Sequence, residues 1–192
     1  MRSQIASRGA IIIIYATILM FSGACSSSSP DSVVRNFFDA LVNSELAEAK
    51  SYLMSEDKPS LEFSNERNKN VVVKVFNLIK YSTIATNVNG DTAIAKVEIT
   101  TPDMEKITLR VINDVMAKVA KMSEDGQIIE TYDSEKLAEE YFIKMLSDPE
   151  VQMITSEFEI KLTKENGIWL INGDSNFKNI ITGNMIKSTT GN

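Results

Sequence analysis

The sequence predicts an α+β fold built on an antiparallel sheet, and three observations carry that reading. Asn89-Gly90 and Asn166-Gly167 each sit between alternating apolar and polar runs. Such a pair marks a hairpin, because both turn positions favour positive φ. Apolar residues at helical spacing precede the first hairpin and fill the stretch between the two. Strands joined by tight turns and interrupted in this way favour a curved antiparallel sheet with helices packed over one face, rather than a doubly wound parallel sheet. The order is helices, hairpin, an inserted helical pair, hairpin.

The chain opens with a segment that reads as a secretory signal peptide, residues 1–24. Arg2 and Arg8 give it a positive start, Ala10 to Phe21 is apolar apart from Thr17, and Ser22, Gly23 and Ala24 are small. The apolar run is about a dozen residues, short of the roughly 20 that a membrane-spanning helix needs. Ser22-Gly23-Ala24-Cys25 resembles the lipobox of bacterial lipoproteins, with Ser22 where that family usually carries Leu. The resemblance implies cleavage between Ala24 and Cys25 and a diacylglyceryl group on the Cys25 thiol. Two acyl chains anchor firmly where one is marginal. Ser26 to Ser29 are small and polar, so residues 25–30 read as a flexible tether. Residues 31–192 then form one domain.

Ser29-Pro30-Asp31 suits a helix start, with Ser29 as cap and Pro30 in the first turn. Val33, Val34, Phe37, Phe38, Leu41 and Val42 continue at helical spacing to a break at Asn43-Ser44. Leu46, Ala49, Tyr52 and Leu53 make a second short helix, and Ser55 to Ser60, with Pro59, reads as a loop. Residues 65–79 carry both a β-branched run and a helical stripe; helix is the assignment made. Tyr81 to Val88 and Thr92 to Thr101 form the first hairpin, with Ala93, Ala95, Val97 and Ile99 inward.

After Thr101-Pro102-Asp103 comes a long helix with Met104, Ile107, Val111, Val115, Val119 and Met122 as its stripe, widened by Leu109, Ile112 and Met116, and stopped at Asp125-Gly126. Ser134 is expected to cap the next helix, which turns Leu137, Tyr141, Phe142, Met145 and Leu146 inward and ends at Asp148-Pro149. Ile154 to Leu162 alternates, and the chain turns at Asn166-Gly167 into a last strand with Trp169 and Ile171 on one face. Phe158 and Ile160 are expected opposite them. Asn176 to Ile186 closes the domain through Phe177, Ile180 and Ile181.

Two stretches, SPDSVVRNFFDALVNSELAEAKSYL (29–53) and ENGIWLINGDSNFKNIITGNM (165–185), resemble small bacterial lipoproteins of the NTF2-like (cystatin-like) superfamily. The first matches a Pro-started amphipathic helix followed by an A-K-x-Y-L helix, the second a terminal G-x-W-x-I strand. The inserted helical pair near 102–147 departs from the minimal cone and looks like elaborated domains of uncharacterised Gram-positive lipoproteins.

Composition narrows the chemistry. Without residues 1–24, which hold two of the 20 basic residues and none of the 26 acidic ones, the net charge goes from −6 to −8. That balance, with no basic patch, argues against nucleic acid and leaves membrane attachment to the lipid. There is no histidine and only one cysteine, which removes the Ser-His-Asp triad and the usual zinc donor sets. No metal or other cofactor is expected.

The function expected is a non-enzymatic ligand- or protein-binding module, lipid-anchored at the extracytoplasmic face of the bacterial cell membrane, with a small molecule or an envelope protein as partner. A cone-fold enzyme with a buried carboxylate base is the alternative, with Glu98 and Glu157 as candidate acids on the polar side of their strands; a solute-binding protein is weaker still, since one domain leaves no second lobe to close. Trp169, the only tryptophan, is the ligand-contact candidate, although its place in the alternation assigns it to the core. Glu135, Glu139 and Glu140 read as a solvated helix face, with Lys136 and Glu140 spaced to pair.

Overall fold

The computed structural model describes residues 28–124 and 133–183. The Ser29 hydroxyl accepts from the Ser32 N–H at 3.1 Å and starts helix α1, Pro30–Val42. Ser44 then takes φ 64° and turns the chain into α2, Leu46–Ser51. The stretch expected as a loop is instead a 3₁₀ helix, Ser55–Leu61. Pro59 fits there because its fixed φ is close to that of a 3₁₀ turn. Asn65 caps α3, Glu66–Phe76, through its side-chain oxygen and the Asn68 N–H at 2.8 Å.

Strands β1 (Lys80–Asn89), β2 (Thr92–Pro102), β3 (Met153–Glu165) and β4 (Ile168–Ile171) form one antiparallel sheet in that order. The two hairpins turn differently. Asn166 and Gly167 both have positive φ, 50° and 83°, as a two-residue primed turn requires. In the first hairpin Asn89 pairs with Thr92, so the turn is Gly90-Asp91 and not Asn89-Gly90. Only Gly90, at φ 61°, is left-handed. A slip in register between Thr83 and Ala85 places a bulge at Ile84. The edge of β4 is covered by the chain after α2: Ile171 N–H donates to Tyr52 O at 2.8 Å, and Met54 N–H to Ile171 O at 3.0 Å.

Helix α1 lies on the inner face of the sheet. Phe38 stacks on Tyr81 at 4.8 Å between centroids, and Phe37 meets Phe177 of α6, Ser175–Ile181, at 5.3 Å. Ala93, Ala95, Val97, Ile99, Ile160, Leu162, Trp169 and Ile171 complete this core from the strands.

The inserted pair, α4 (Met104–Glu124) and α5 (Ser134–Leu146), packs elsewhere. A second cluster joins Val71 and Val75 of α3 to Met104, Ile107, Val111 and Leu146, and takes no residue from the sheet. The pair is therefore held on α3, not spread over the sheet as its stripes suggested. Asp133, not Ser134, caps α5, its carboxylate accepting from the Lys136 N–H at 2.9 Å. The stop expected for α4 at Asp125-Gly126, and the chain from residue 184 onward, lie outside the described residues. Among the described residues, no helix is long and apolar enough to cross a membrane.

Candidate functional site

A groove of about 650 Å³ opens between α3, α4 and α5. Its apolar wall comes from Val71 and Val72 of α3, Val111, Ile112, Val115 and Met116 of α4, and Ala138 and Phe142 of α5. Helix α4 explains why it stays open. At 100° per residue its apolar positions from Ile107 round to Leu109 span about 200°, whereas one packed face needs an arc of about 100°. Met104, Ile107 and Val111 use one half of that arc against α3 and α5 and are buried. Among the described residues no helix covers the other half: Leu109 is 58% exposed, Ile112 49% and Met116 65%. These three were expected to widen the buried stripe, and the structure leaves them outside it. The Thr108 hydroxyl oxygen, also on the groove wall, is buried and has no hydrogen-bond partner among the described residues.

The rim is acidic. Arg67 of α3 meets the Asp133 carboxylate in a two-point bond, 2.8 Å from Nη1 and 2.6 Å from Nη2, with Glu135 at 3.7 Å and Glu139 at 3.9 Å. The hydrogen bond to Asp133 holds the guanidinium above its ordinary pKa. The Asp133 carboxyl is held below its own, first by Arg67 and then by the Lys136 N–H. One guanidinium thus serves three carboxylates, and its best geometry is spent on Asp133. Glu139 also accepts from Asn70 at 2.9 Å. The nearby acids Glu62 and Glu66 have their own lysines, Lys50 at 3.5 Å and Lys69 at 3.1 Å.

Trp169 is 5% exposed and belongs to the main core, not to the wall of this groove. Its cross-strand partner is Lys164, and that of Ile171 is Leu162. Phe158 and Ile160, expected opposite them, instead face Val97 and Ala95, because β4 is only four residues long and pairs with the far end of β3. Glu98 and Glu157 are direct cross-strand partners on the exposed face of the sheet, and Lys96 Nζ sits 2.6 Å from Glu157. That pair is a solvated arrangement that relieves two facing like charges, not a base in a cavity. Glu135 and Glu139, read as a plain solvated face, point at Arg67; Glu140 is exposed. Ala24 and Cys25 lie outside the described residues.

Arg67 was not singled out by the sequence, since its partners are 66 or more positions away. The signal that could have found the groove was the width of the α4 arc. Compared with protein-family models, with curated proteins and with solved structures, the chain shows no match.

Proposed function

We propose that this chain is a lipid-anchored, extracytoplasmic binding module of the bacterial cell envelope, and that it binds through the groove between α3, α4 and α5. The observation that carries the binding reading is that groove: about 650 Å³, open, apolar-walled, with Ile112 49% and Met116 65% exposed at its lip. A soluble chain gains nothing from leaving such a surface in water. The anchoring reading rests on Ser22-Gly23-Ala24-Cys25 and the apolar run before it. An NTF2-like domain belongs to the same reading, supported by α1 against the inner face of a four-stranded sheet and by the Gly167-Ile168-Trp169-Leu170-Ile171 strand. The space between α1 and the sheet is filled by Phe37, Phe38, Leu41 and Phe76, which moves binding from the cone to the inserted helices.

Two measurements test this. A neutral apolar dye such as Nile red should bind the wild-type domain saturably, and Met116→Asp should abolish that binding without altering the fold. A dye that never saturates, or that binds both proteins alike, would overturn the groove as the site. Intact mass of membrane-extracted protein should show a diacylglyceryl group on Cys25, and Cys25→Ser should move the protein out of the membrane fraction. An unmodified Cys25 thiol in protein free in the medium would sink the anchoring.

A further inference from the structure

We infer that the groove takes an amphipathic α-helix with a basic polar face, supplied by a partner protein; this deepens the proposed binding role and rests on it. Ile112 and Met116 of α4 line the groove beside Thr108 and Val115, and Leu109, exposed just outside the lining, continues their ridge at i, i+3, i+7, about 10 Å long at 1.5 Å per residue. Ridges of this kind are complemented by the side-chain rows of another helix. Three helices, α3, α4 and α5, already surround the groove, and a fourth would cover the unused half of the α4 arc. Met116, 65% exposed, adds an unbranched side chain that adapts to what it meets.

Charge selects the partner's polar face. Around Arg67, three carboxylates face one guanidinium, which leaves two negative charges in excess at the α5 rim. Glu135 is the most open of them, its side chain 79% exposed. Lysines or arginines flanking the apolar stripe of an incoming helix would meet Glu135 and Glu139. A second copy of this chain is disfavoured as occupant: it would bring its own acidic rim and its own net charge of −6 over the full chain.

The test uses a synthetic Leu/Lys peptide of about 14 residues, long enough to hold a helix when docked, and a Leu/Glu peptide with the same apolar face. The Leu/Lys peptide should bind the domain, gain helical circular dichroism, and bind about ten-fold or more tighter than Leu/Glu, a difference of about 1.4 kcal/mol. Ile112→Asp is the decisive variant. It makes the domain more acidic, so attraction by charge alone would rise, whereas docking in the groove should be lost. Glu135→Gln with Glu139→Gln should weaken the Leu/Lys peptide by a larger factor than it changes dye binding. Unchanged or stronger Leu/Lys binding by Ile112→Asp would overturn the proposal. Equal binding of Leu/Glu would overturn the basic partner while saturable dye binding still upheld the groove. A dimer that forms through Ile112 in the absence of peptide would replace the partner by a second copy and overturn it as well.

Discussion

Trp169 packs 5% exposed among Leu162, Ile171 and the α1 side chains, with Lys164 Nζ 5.6 Å from the ring centroid. Trp169→Ala should cost about 3–5 kcal/mol, a large part of the roughly 5–15 kcal/mol that such a domain has. Wild-type emission should be blue-shifted and poorly quenched by iodide; red-shifted, easily quenched emission would contradict the core placement. Tyr81 carries a pH effect. Its hydroxyl donates to Asp39 Oδ1 at 2.6 Å and lies 3.0 Å from Arg35 O. Burial first, and the Asp39 carboxylate second, raise the phenol above its ordinary 10.0. The folded state therefore holds the proton more tightly than the unfolded chain. Its contribution is full below pH 10 and is lost as pH rises through the folded value. Denaturant midpoints should fall in that alkaline range, and Tyr81→Phe should flatten the fall, leaving the slope of Tyr52, whose phenol is also raised.

Among the elements, α3 shows how one helix serves two cores. Val71 and Val75 face the α4–α5 pair, Phe76 is buried in the sheet core, and Val72 packs against that core from the groove wall. Two adjacent i, i+4 stripes also explain why this stretch reads partly as a strand: both sides of it are apolar. Helix α5 depends on Asp133, which caps its first turn and binds Arg67 across to α3. Asp133→Ala should lower the melting temperature and speed amide exchange in the first turn of α5. Asp133→Asn, which keeps a capping oxygen but not the charge, should lose less. Because the folded Asp133 pKa is depressed below 3.8, its contribution is present above that pH and is lost as pH falls through the folded value. An Asp133→Ala protein with unchanged exchange in α5 would contradict this.

At the scale of the whole molecule, the α4–α5 pair buries its apolar residues in the second cluster, with the Arg67–Asp133 and Asn70–Glu139 bonds to α3 beside it, and the buried residues of α4 stop at Val111. Regions with few buried contacts open first. Hydrogen exchange should therefore find β2, β3 and α1 most protected, α5 intermediate, and α4 beyond Ile112 fastest among the described helices. Bound Leu/Lys peptide should slow exchange in α4 selectively. Uniform protection across α4 and β2 would show one cooperative unit and contradict the two-cluster division.

What the sequence determined by itself was local in physical origin. The Ser29 cap, the Asn166-Gly167 turn, the inward alternation of β2 and the core place of Trp169 each depend on a residue's own backbone preference or on neighbours within a turn or a strand pair. The lack of histidine needed no structure at all. Tertiary structure decided what depends on distant segments. Pairing at Asn89 and Thr92 moved the first turn to Gly90-Asp91, and the short β4 put Lys164, not Phe158 or Ile160, opposite Trp169. The groove belongs to this second class. A run of apolar residues states how much of α4 avoids water, but only its neighbours decide which half they cover. They buried Met104, Ile107 and Val111 and left Leu109, Ile112 and Met116 to solvent. Arg67 met Asp133 only because α3 and α5 dock side by side across a gap of 66 positions.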